Sequence, residues 1–212
     1  MKNHDRTTTI REAKLPLYAG IDVGGTSIKL GLVDDQGLTL SRTQFPTESE
    51  KGVPNAIERT AHVLWSELKR LEADQAQLAA VGLATPGTMD VAAGMILDPP
   101  NLPGWRHFPI VAELQQALGK PVAFANDANA AAFGESWIGR GREFPSLIML
   151  TLGTGVGGGI IIGDLSIDGE HSHGSECGHL IIDHNEDARM CPCGQRGHLE
   201  AYASATALIR RA

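Results

Sequence analysis

The sequence predicts an α/β protein in which short strands and helices are joined by glycine-rich turns. Apolar runs rich in branched residues, at 17–21 and 28–33, have the length of strands. In residues 54–71 the apolar side chains recur at steps of three and four, which is the spacing of one helix face. The 25 glycines among 212 residues exceed ordinary usage and concentrate in turns between apolar runs, which favours a strand-rich fold with tight connections.

The first half of the chain is predicted to begin with a β-hairpin and to continue with an amphipathic helix and a buried strand. These elements are assigned to residues 17–33, 54–71 and 78–84. The turn Gly24-Gly25-Thr26 closes the hairpin, and the helix tolerates Pro54 in its first turn. Residues 90–108 contain three prolines that exclude regular structure, so a long irregular loop is expected there.

The second half is predicted to contain a helix, a short strand and an alanine-rich helix, then two strands around a second glycine-rich turn. These elements are assigned to residues 110–118, 122–124, 128–137, 147–152 and 159–162. A helix is also expected from residue 199 to the end of the chain. We place a domain boundary near residues 119–120, which divides the chain into a tail (1–16), an N-terminal domain (17–119) and part of a C-terminal domain (120–212).

Composition and charge narrow the class of protein. The formal net charge of −7 argues against non-specific nucleic-acid binding, which needs a basic surface. Residues 1–14 are polar, unlike a signal peptide, and no apolar run approaches the length of a membrane span. Three cysteines do not make a disulfide framework. These features predict a cytoplasmic protein whose partners are neither nucleic acid nor membrane.

Two glycine-rich turns carry the main functional signal. Glycine lets backbone N–H groups approach a phosphate without an intervening Cβ atom. In the first turn the N–H groups and the Thr26 hydroxyl would hold terminal phosphates, while Asp22 would hold Mg²⁺. An isolated turn of this kind is also compatible with a plain hairpin whose glycines supply positive φ.

The second turn, residues 152–159, matches the pattern G-x-G-x-x-G. A Rossmann unit is nevertheless disfavoured, because residues 159–162 are predicted to continue as a strand and not to open a helix. A Walker motif is also absent, since the sequence has no Gly-Lys-Ser/Thr. The strand–turn–strand unit instead resembles the phosphate-binding hairpins of actin-like kinases. The predicted phosphate-binding or ATP-binding residues are Asp22, Gly24, Gly25, Thr26, Lys29, Gly153, Thr154, Gly155 and Gly157.

Asp127 follows a predicted strand that lies between the two glycine-rich turns in sequence. It has two interpretations: a cap for the helix that starts at Ala128, or the base that accepts a proton from a substrate hydroxyl. Asn126 beside it and Asn101 on the proline-rich loop could hydrogen-bond further hydroxyls of a polyol. Two phosphate-type turns and one carboxylate indicate a kinase that phosphorylates a hydroxyl.

A cluster of histidine and cysteine predicts a structural zinc site. His179 follows a Glu-x-Gly turn, and Cys191, Cys193 and His198 have the spacing Cys-x-Cys-x₄-His. Four nitrogen and sulfur ligands suit closed tetrahedral Zn²⁺. The alternative is a pair of reduced surface thiols with scattered histidines.

These motifs together resemble the ROK family of bacterial sugar kinases and repressors. The matching stretches are residues 20–34, 85–87, 101–105, 126–135, 152–162, 176–179 and 191–204. The resemblance implies an actin-like ATPase (ribonuclease H-like) fold, with a sugar cleft between an N-terminal and an incomplete C-terminal domain. It is strongest to the family's glucokinases, which phosphorylate glucose to glucose 6-phosphate.

The resemblance also implies roles for individual residues. It makes Asp127 the catalytic base and ATP with Mg²⁺ the phosphoryl donor. It makes His179 both a ligand of the structural Zn²⁺ and a sugar contact. The implied hexose-binding residues are Gly87, Asn101, Asn126, Asp127, Glu176, His179 and Glu200. A homodimer is expected.

Two departures from the family pattern bear on activity. His198 stands where the family's zinc knuckle has a third cysteine, and family kinases continue beyond the point where this chain stops, so we expect a C-terminally truncated kinase of uncertain activity. The alternatives are a non-catalytic sugar sensor, an inactive fragment, or a kinase for N-acetylmannosamine, fructose or allose. The identity of the hexose stays open.

Overall fold

A computed structural model of the protein describes residues 7–99 and 101–211. The described residues form two compact units, one ending at Asp127 and the other beginning at Ala128. The strands of the first unit are β1 (Leu17–Val23), β2 (Ser27–Val33), β3 (Thr39–Pro46), β4 (Leu78–Thr85), β5 (Thr88–Asp90), β6 (Met95–Asp98) and β7 (Val122–Asn126). Its α-helices are α1 (Val53–Arg70) and α2 (Ile110–Leu118).

The remaining elements belong mainly to the second unit. They are α3 (Asp127–Trp137), β8 (Ser146–Leu152), β9 (Val156–Ile162), β10 (Leu165–Ser166), α4 (Glu200–Ala203) and α5 (Ala205–Ile209). Single turns of 3-10 helix lie at Ser49–Lys51, Gln75–Gln77, Arg140–Glu143 and Cys177–His179. The alternation of strands and helices confirms the predicted α/β class. No helix in the described part of the chain combines the length and the apolar character needed to cross a membrane.

The first unit is organised by a five-stranded sheet with the order β3-β2-β1-β4-β7. The hairpin of β1 and β2 extends antiparallel to β3, whereas β4 is parallel to β1 and β7 is parallel to β4. Parallel strands end at the same edge of a sheet, so the segments that follow β1, β4 and β7 emerge side by side. The first glycine-rich turn, Thr85 and Asn126 lie at this edge.

One continuous apolar core lies under this sheet. The helix α1 contributes Leu64 and Leu68, which are fully buried, and α2 contributes Leu114. These positions repeat at steps of three and four because only one face of each helix contacts the sheet. The core therefore holds the edge where β1, β4 and β7 end.

The second unit has a three-stranded antiparallel sheet with the order β10-β9-β8. Its glycines allow α3 to lie very close to β9, since a Cβ atom on Gly159 would be 2.4 Å from the Cβ atom of Ala132. The alanines of α3 thus pack directly on the glycine backbone of β9. On β8 the side chains of Ile148, Leu150 and Leu152 alternate and are 46–69% exposed, so one face of this strand is apolar and open.

Several sequence-based assignments differ from the structure. Residues 90–108 are not wholly irregular, because β6 pairs with β5 and Ile96 forms a bridge with Phe108; Pro99 and Pro103 lie outside these pairings. The strand β3 was not predicted. The predicted helix from residue 199 divides into α4 and α5, because Ser204 is extended and its hydroxyl accepts the N–H of Ala207. Its last residue, 212, lies outside the described residues.

The domain boundary predicted near residues 119–120 precedes the division between the two compact units. The strand β7 follows that point and is hydrogen-bonded to β4, so it lies in the first unit.

The turn after β2 generates our first prediction. The carboxylate of Asp34 is fully buried and accepts the backbone N–H groups of Lys14, Gln36 and Leu38 at 2.8–3.0 Å. Asp34→Ala leaves these donors without a partner, so we expect it to lower the free energy of unfolding by about 3 kcal/mol. Urea denaturation measures this, with the exposed neighbour Asp35→Ala as a control that changes it by less than about 1 kcal/mol. Equal losses of unfolding free energy in Asp34→Ala and Asp35→Ala would contradict the role of Asp34 as the buried acceptor of these N–H groups.

Candidate functional site

The first glycine-rich turn is supported by a buried threonine that the sequence analysis missed. The N–H of Gly24 donates to the carbonyl of Ser27 at 3.0 Å, which closes the turn. From the end of β3, the Thr47 hydroxyl donates to the Gly24 carbonyl at 2.6 Å, and its N–H donates to the Thr26 carbonyl at 3.0 Å. Thr47 is in turn held by Arg59 of α1, whose guanidinium donates to the Thr47 carbonyl at 2.5 Å. Thr47 and Arg59, which lie outside the turn, therefore hold its backbone in place.

Next to this turn, Asp22 and Lys29 form a cross-strand ion pair. They are register partners on β1 and β2, and their charged atoms are 2.9 Å apart. Both side chains are substantially exposed, at 43% for Asp22 and 61% for Lys29. The predicted Mg²⁺ ligand and the predicted phosphate-binding lysine are thus neighbours at the edge of the sheet.

Asn101 reaches the same turn from the proline-rich loop. A Cβ atom on Gly25 would lie 2.9 Å from the Asn101 carbonyl oxygen and 3.0 Å from its Cβ atom, so only glycine permits this approach. Gly87 has a φ of +84°, which also favours glycine. The structure therefore brings Asn101 and the first glycine-rich turn into contact.

Asn126 and Asp127 occupy the junction of β7 and α3. Asn126 is the last residue of the strand and is half-buried, whereas Asp127 is the first residue of the helix and is exposed. Since β4 and β7 pair through Thr85 and Asn126, Asp127 follows the edge at which β1 and β4 also end. Gly87, Asn101, Asn126 and Asp127 all belong to the first unit.

In the second unit, the turn between β8 and β9 is shaped by its own backbone and by the C-terminal segment. We call Gly153–Thr154–Gly155–Val156 the second glycine loop. The N–H of Gly153 donates to the Gly155 carbonyl at 3.0 Å. Gly157 lies beyond this loop, within β9 and opposite Thr151, where a Cβ atom would be 2.9 Å from that of Ala128. Close packing explains a glycine at 157; its role at a phosphate stays a prediction.

The four predicted zinc ligands lie together. One ligand atom from each of His179, Cys191, Cys193 and His198 can be chosen so that all lie within 4.8 Å of one another. The Cys193 Sγ and His198 Nδ1 atoms are 3.3 Å apart, near the distance of about 3.5 Å expected between ligands bound tetrahedrally at about 2.3 and 2.0 Å. The rings of His179 and His198 stack with centroids 5.0 Å apart. We call these four residues the metal cluster.

A tight turn joins Cys191 to Cys193. The Cys191 N–H donates to the Gln195 carbonyl at 2.8 Å, and the Gly194 N–H donates to the Cys191 carbonyl at 2.9 Å, with Gly194 at a φ of +91°. Burial raises the pKa of the Cys191 thiol to about 11. Because a metal binds the thiolate, metal binding at this cysteine would release a proton.

A second residue set that the sequence analysis missed fastens the segment before the cysteines to α4. The Tyr202 hydroxyl donates to Asp183 at 2.5 Å, and this hydrogen bond is the main reason why the pKa of Asp183 lies below its usual range. The Tyr202 oxygen accepts the N–H of Arg189 at 2.9 Å, and the Arg189 guanidinium lies 4.8 Å from the Tyr202 ring centroid. The sequence shows only a tyrosine in a predicted helix, so no signal pointed to this contact.

Glu176 and Glu200 flank the metal cluster in the chain. Glu176 is exposed and precedes the 3-10 turn that ends at His179. Glu200 begins α4, and one of its oxygens accepts the Val156 N–H at 2.9 Å while the other lies 3.7 Å from the Cys191 sulfur. The family resemblance implies a sugar contact for Glu200, but no pattern in the sequence predicts its contact with the second glycine loop.

Comparisons with known proteins agree on one family. A model of the ROK family matches residues 18–212. A glucokinase of Thermotoga maritima is 40% identical over 191 residues, which are 90% of this chain and 58% of that protein. The chain therefore spans less than two thirds of this relative's length.

Two solved structures show the same fold. A ROK hexokinase from Thermus thermophilus is 37% identical with a TM-score of 0.81, over 92% of this chain and 62% of that chain. A ROK family glucokinase from Streptomyces griseus, in complex with glucose and AMPPNP, is 36% identical with a TM-score of 0.75, over 92% of this chain and 59% of that chain. The predicted actin-like ATPase fold is confirmed, and the chain belongs to the ROK family.

Proposed function

We propose that this protein is an ATP-dependent kinase that transfers the γ-phosphoryl group to a hydroxyl of a hexose, with glucose 6-phosphate formed from glucose. The observation that supports this most directly is the shared edge of β1, β4 and β7, which carries a glycine-rich turn and Asp127. Ligands of open parallel sheets bind at this edge. Relatives described as two glucokinases and a hexokinase, one of the glucokinases in complex with glucose, favour glucose as the acceptor.

Asp127 is proposed to orient the acceptor hydroxyl and to take its proton as the oxygen attacks phosphorus in line. Its exposed position at the start of α3 leaves it accessible to a substrate. The remaining hydroxyls would be held by the side chains of Asn101 and Asn126, by the backbone at Gly87, and by Glu176, His179 and Glu200. Such contacts position the sugar and discriminate among hexoses.

The phosphates are proposed to be held by the two glycine-rich turns. In the first turn, Gly25 and Thr26 would supply N–H groups and Thr26 its hydroxyl, while Gly24, whose N–H donates to the Ser27 carbonyl, would shape the turn. The bracing by Thr47 keeps these donors in place. Gly153, Thr154 and Gly155 are the corresponding residues of the second turn. Asp22 is proposed to hold Mg²⁺, which neutralises phosphate charge, and Lys29, 2.9 Å from Asp22, would add a second cation.

The metal cluster is proposed to bind one structural Zn²⁺. Two sulfur and two nitrogen donors within 4.8 Å match the ligand set of closed zinc sites. His198 replaces the family's third cysteine without loss of a ligand, since its Nδ1 atom is already close to the Cys193 sulfur. The metal would tie the 3-10 turn at His179 to the segment before α4. A cytoplasmic location is also proposed, on the composition of the sequence, and a homodimer on the family resemblance alone.

Asp127→Asn tests the proposed base. We expect turnover to fall by about 10²–10⁴-fold, because the amide cannot accept the hydroxyl proton, while the dissociation constant for glucose changes less than about threefold. Steady-state phosphotransfer and calorimetric glucose titration measure the two effects. Both are followed in this chain and in this chain lengthened with the remaining part of the Thermotoga maritima glucokinase.

Asp164→Asn is the matched control, because Asp164 is an exposed carboxylate in the turn between β9 and β10. It should leave turnover and glucose affinity unchanged. Near-normal turnover of Asp127→Asn would remove Asp127 from the mechanism. Faster phosphorylation of N-acetylmannosamine, fructose or allose than of glucose would correct the substrate, and sugar binding without phosphorylation by the lengthened chain would favour a sensor.

Cys193→Ser tests the metal site. The purified wild-type chain should contain about one zinc ion, and the variant much less, because serine is a far poorer zinc ligand than a thiolate. Mass spectrometry of the metal content and thermal unfolding measure the change, and we expect a lower Tm for the variant.

Cys177→Ser is the control, since Cys177 is a buried cysteine outside the metal cluster. It should retain zinc at the wild-type level. A zinc-free wild-type chain whose Tm does not respond to a chelator would show that the cysteines are only a pair of thiols.

A further inference from the structure

We propose that Glu200 couples the metal cluster to the second glycine loop, so that a metal ion bound at the cluster orders the loop. This inference rests on the metal site proposed above. In this role Glu200 is a positioning residue, because it acts on Val156 and Cys191 and not on reacting atoms. Its effect would be exerted on the backbone N–H groups that are proposed to hold phosphate.

The link to the loop is a charged hydrogen bond. The Glu200 Oε2 atom accepts the Val156 N–H at 2.9 Å, and Val156 is itself buried. A carboxylate acceptor makes such a bond roughly twice as strong as a neutral one. The Val156 N–H is thereby taken by the protein, and the Gly153 N–H by the Gly155 carbonyl, which leaves Thr154 and Gly155 to face a phosphate.

The glycine at position 155 also indicates that the Glu200 carboxylate packs directly against the loop. A Cβ atom at this position would lie 2.2 Å from the Glu200 Oε2 atom. Because that distance is far below van der Waals contact, any larger residue would displace the carboxylate. The observed position of the Glu200 carboxylate thus requires glycine at position 155, apart from any requirement of a nucleotide.

The link to the metal cluster has two parts. The Glu200 Oε1 atom lies 3.7 Å from the Cys191 sulfur. In addition, α4 begins two residues after His198, and the N–H of Ala201 donates to the His198 carbonyl at 3.0 Å. A metal that holds His198 therefore restrains Glu200 through its backbone, whereas the contact with Cys191 is one of proximity, since a metal-bound thiolate has no proton to donate.

Two further hydrogen bonds hold the loop without involving the metal cluster. The N–H of Ala205 donates to the Gly153 carbonyl, and the Thr206 hydroxyl donates to the Thr154 carbonyl, each at 2.9 Å. Removing the Thr206 bond should loosen the loop but leave its response to the metal intact. Thr206→Val is consequently the matched control for Glu200.

The test follows amide hydrogen exchange at Val156 by NMR, in the chain loaded with zinc and after chelation, with zinc content measured in parallel. In the wild type we expect exchange to be at least about tenfold slower with zinc. Exchange at Ile160, in the ladder between β8 and β9, should change much less. Glu200→Ala should retain zinc but lose the difference at Val156, whereas Thr206→Val should keep it.

Two more variants distinguish loss of the coupling from loss of the folded structure. Glu200→Gln retains an oxygen acceptor and should preserve part of the difference. Gly155→Ala leaves Glu200 in the chain but displaces its carboxylate, and should abolish the difference as Glu200→Ala does. Zinc binding without any effect on Val156, or an unchanged effect in Glu200→Ala and Gly155→Ala, overturns the coupling alone. A wild-type chain that binds no zinc overturns the coupling and the metal site together.

Discussion

The parallel pairing of β1, β4 and β7 is the constraint on which the first unit depends. Parallel strands all end at one edge, so three separate stretches of sequence deliver their next residues to the same place. The glycine-rich turn follows β1, the Thr85–Gly87 segment follows β4, and Asp127 follows β7. A proposed phosphate site and a proposed base are thus neighbours because of strand direction, and the core under the sheet fixes their positions.

Local patterns in the sequence were sufficient for much of this arrangement. The apolar runs, the face of α1 and the histidine–cysteine spacing each depend on neighbours in the chain, and they were predicted. The contacts of Thr47 and Glu200 could not be predicted from the sequence. Their partners Gly24 and Val156 are distant in the chain, and a single long-range hydrogen bond leaves no periodic pattern. The end of α4 was missed because the capping role of Ser204 depends on its being extended.

The two units hold their loops by different means. In the first unit the turn is braced by backbone and hydroxyl hydrogen bonds from Thr47, which α1 holds through Arg59. In the second unit the corresponding loop is held by Glu200 and by the start of α5, both of which follow the metal cluster in the chain. A helix with a large apolar core supports one loop, whereas a small segment with few buried side chains supports the other. A metal site suits the latter because it replaces a core that the segment lacks.

The contact between Gly25 and Asn101 has a consequence for protein engineering. With only 2.9 Å between a would-be Cβ atom and the Asn101 carbonyl, Gly25 cannot be replaced unless the backbone of the loop at Asn101 moves. A library that varies Asn101, a proposed sugar contact, must hold Gly25 fixed, and a design that enlarges the turn must first move the loop. When segments are exchanged between family members, the turn at Gly25 and the loop at Asn101 would therefore have to be transferred together.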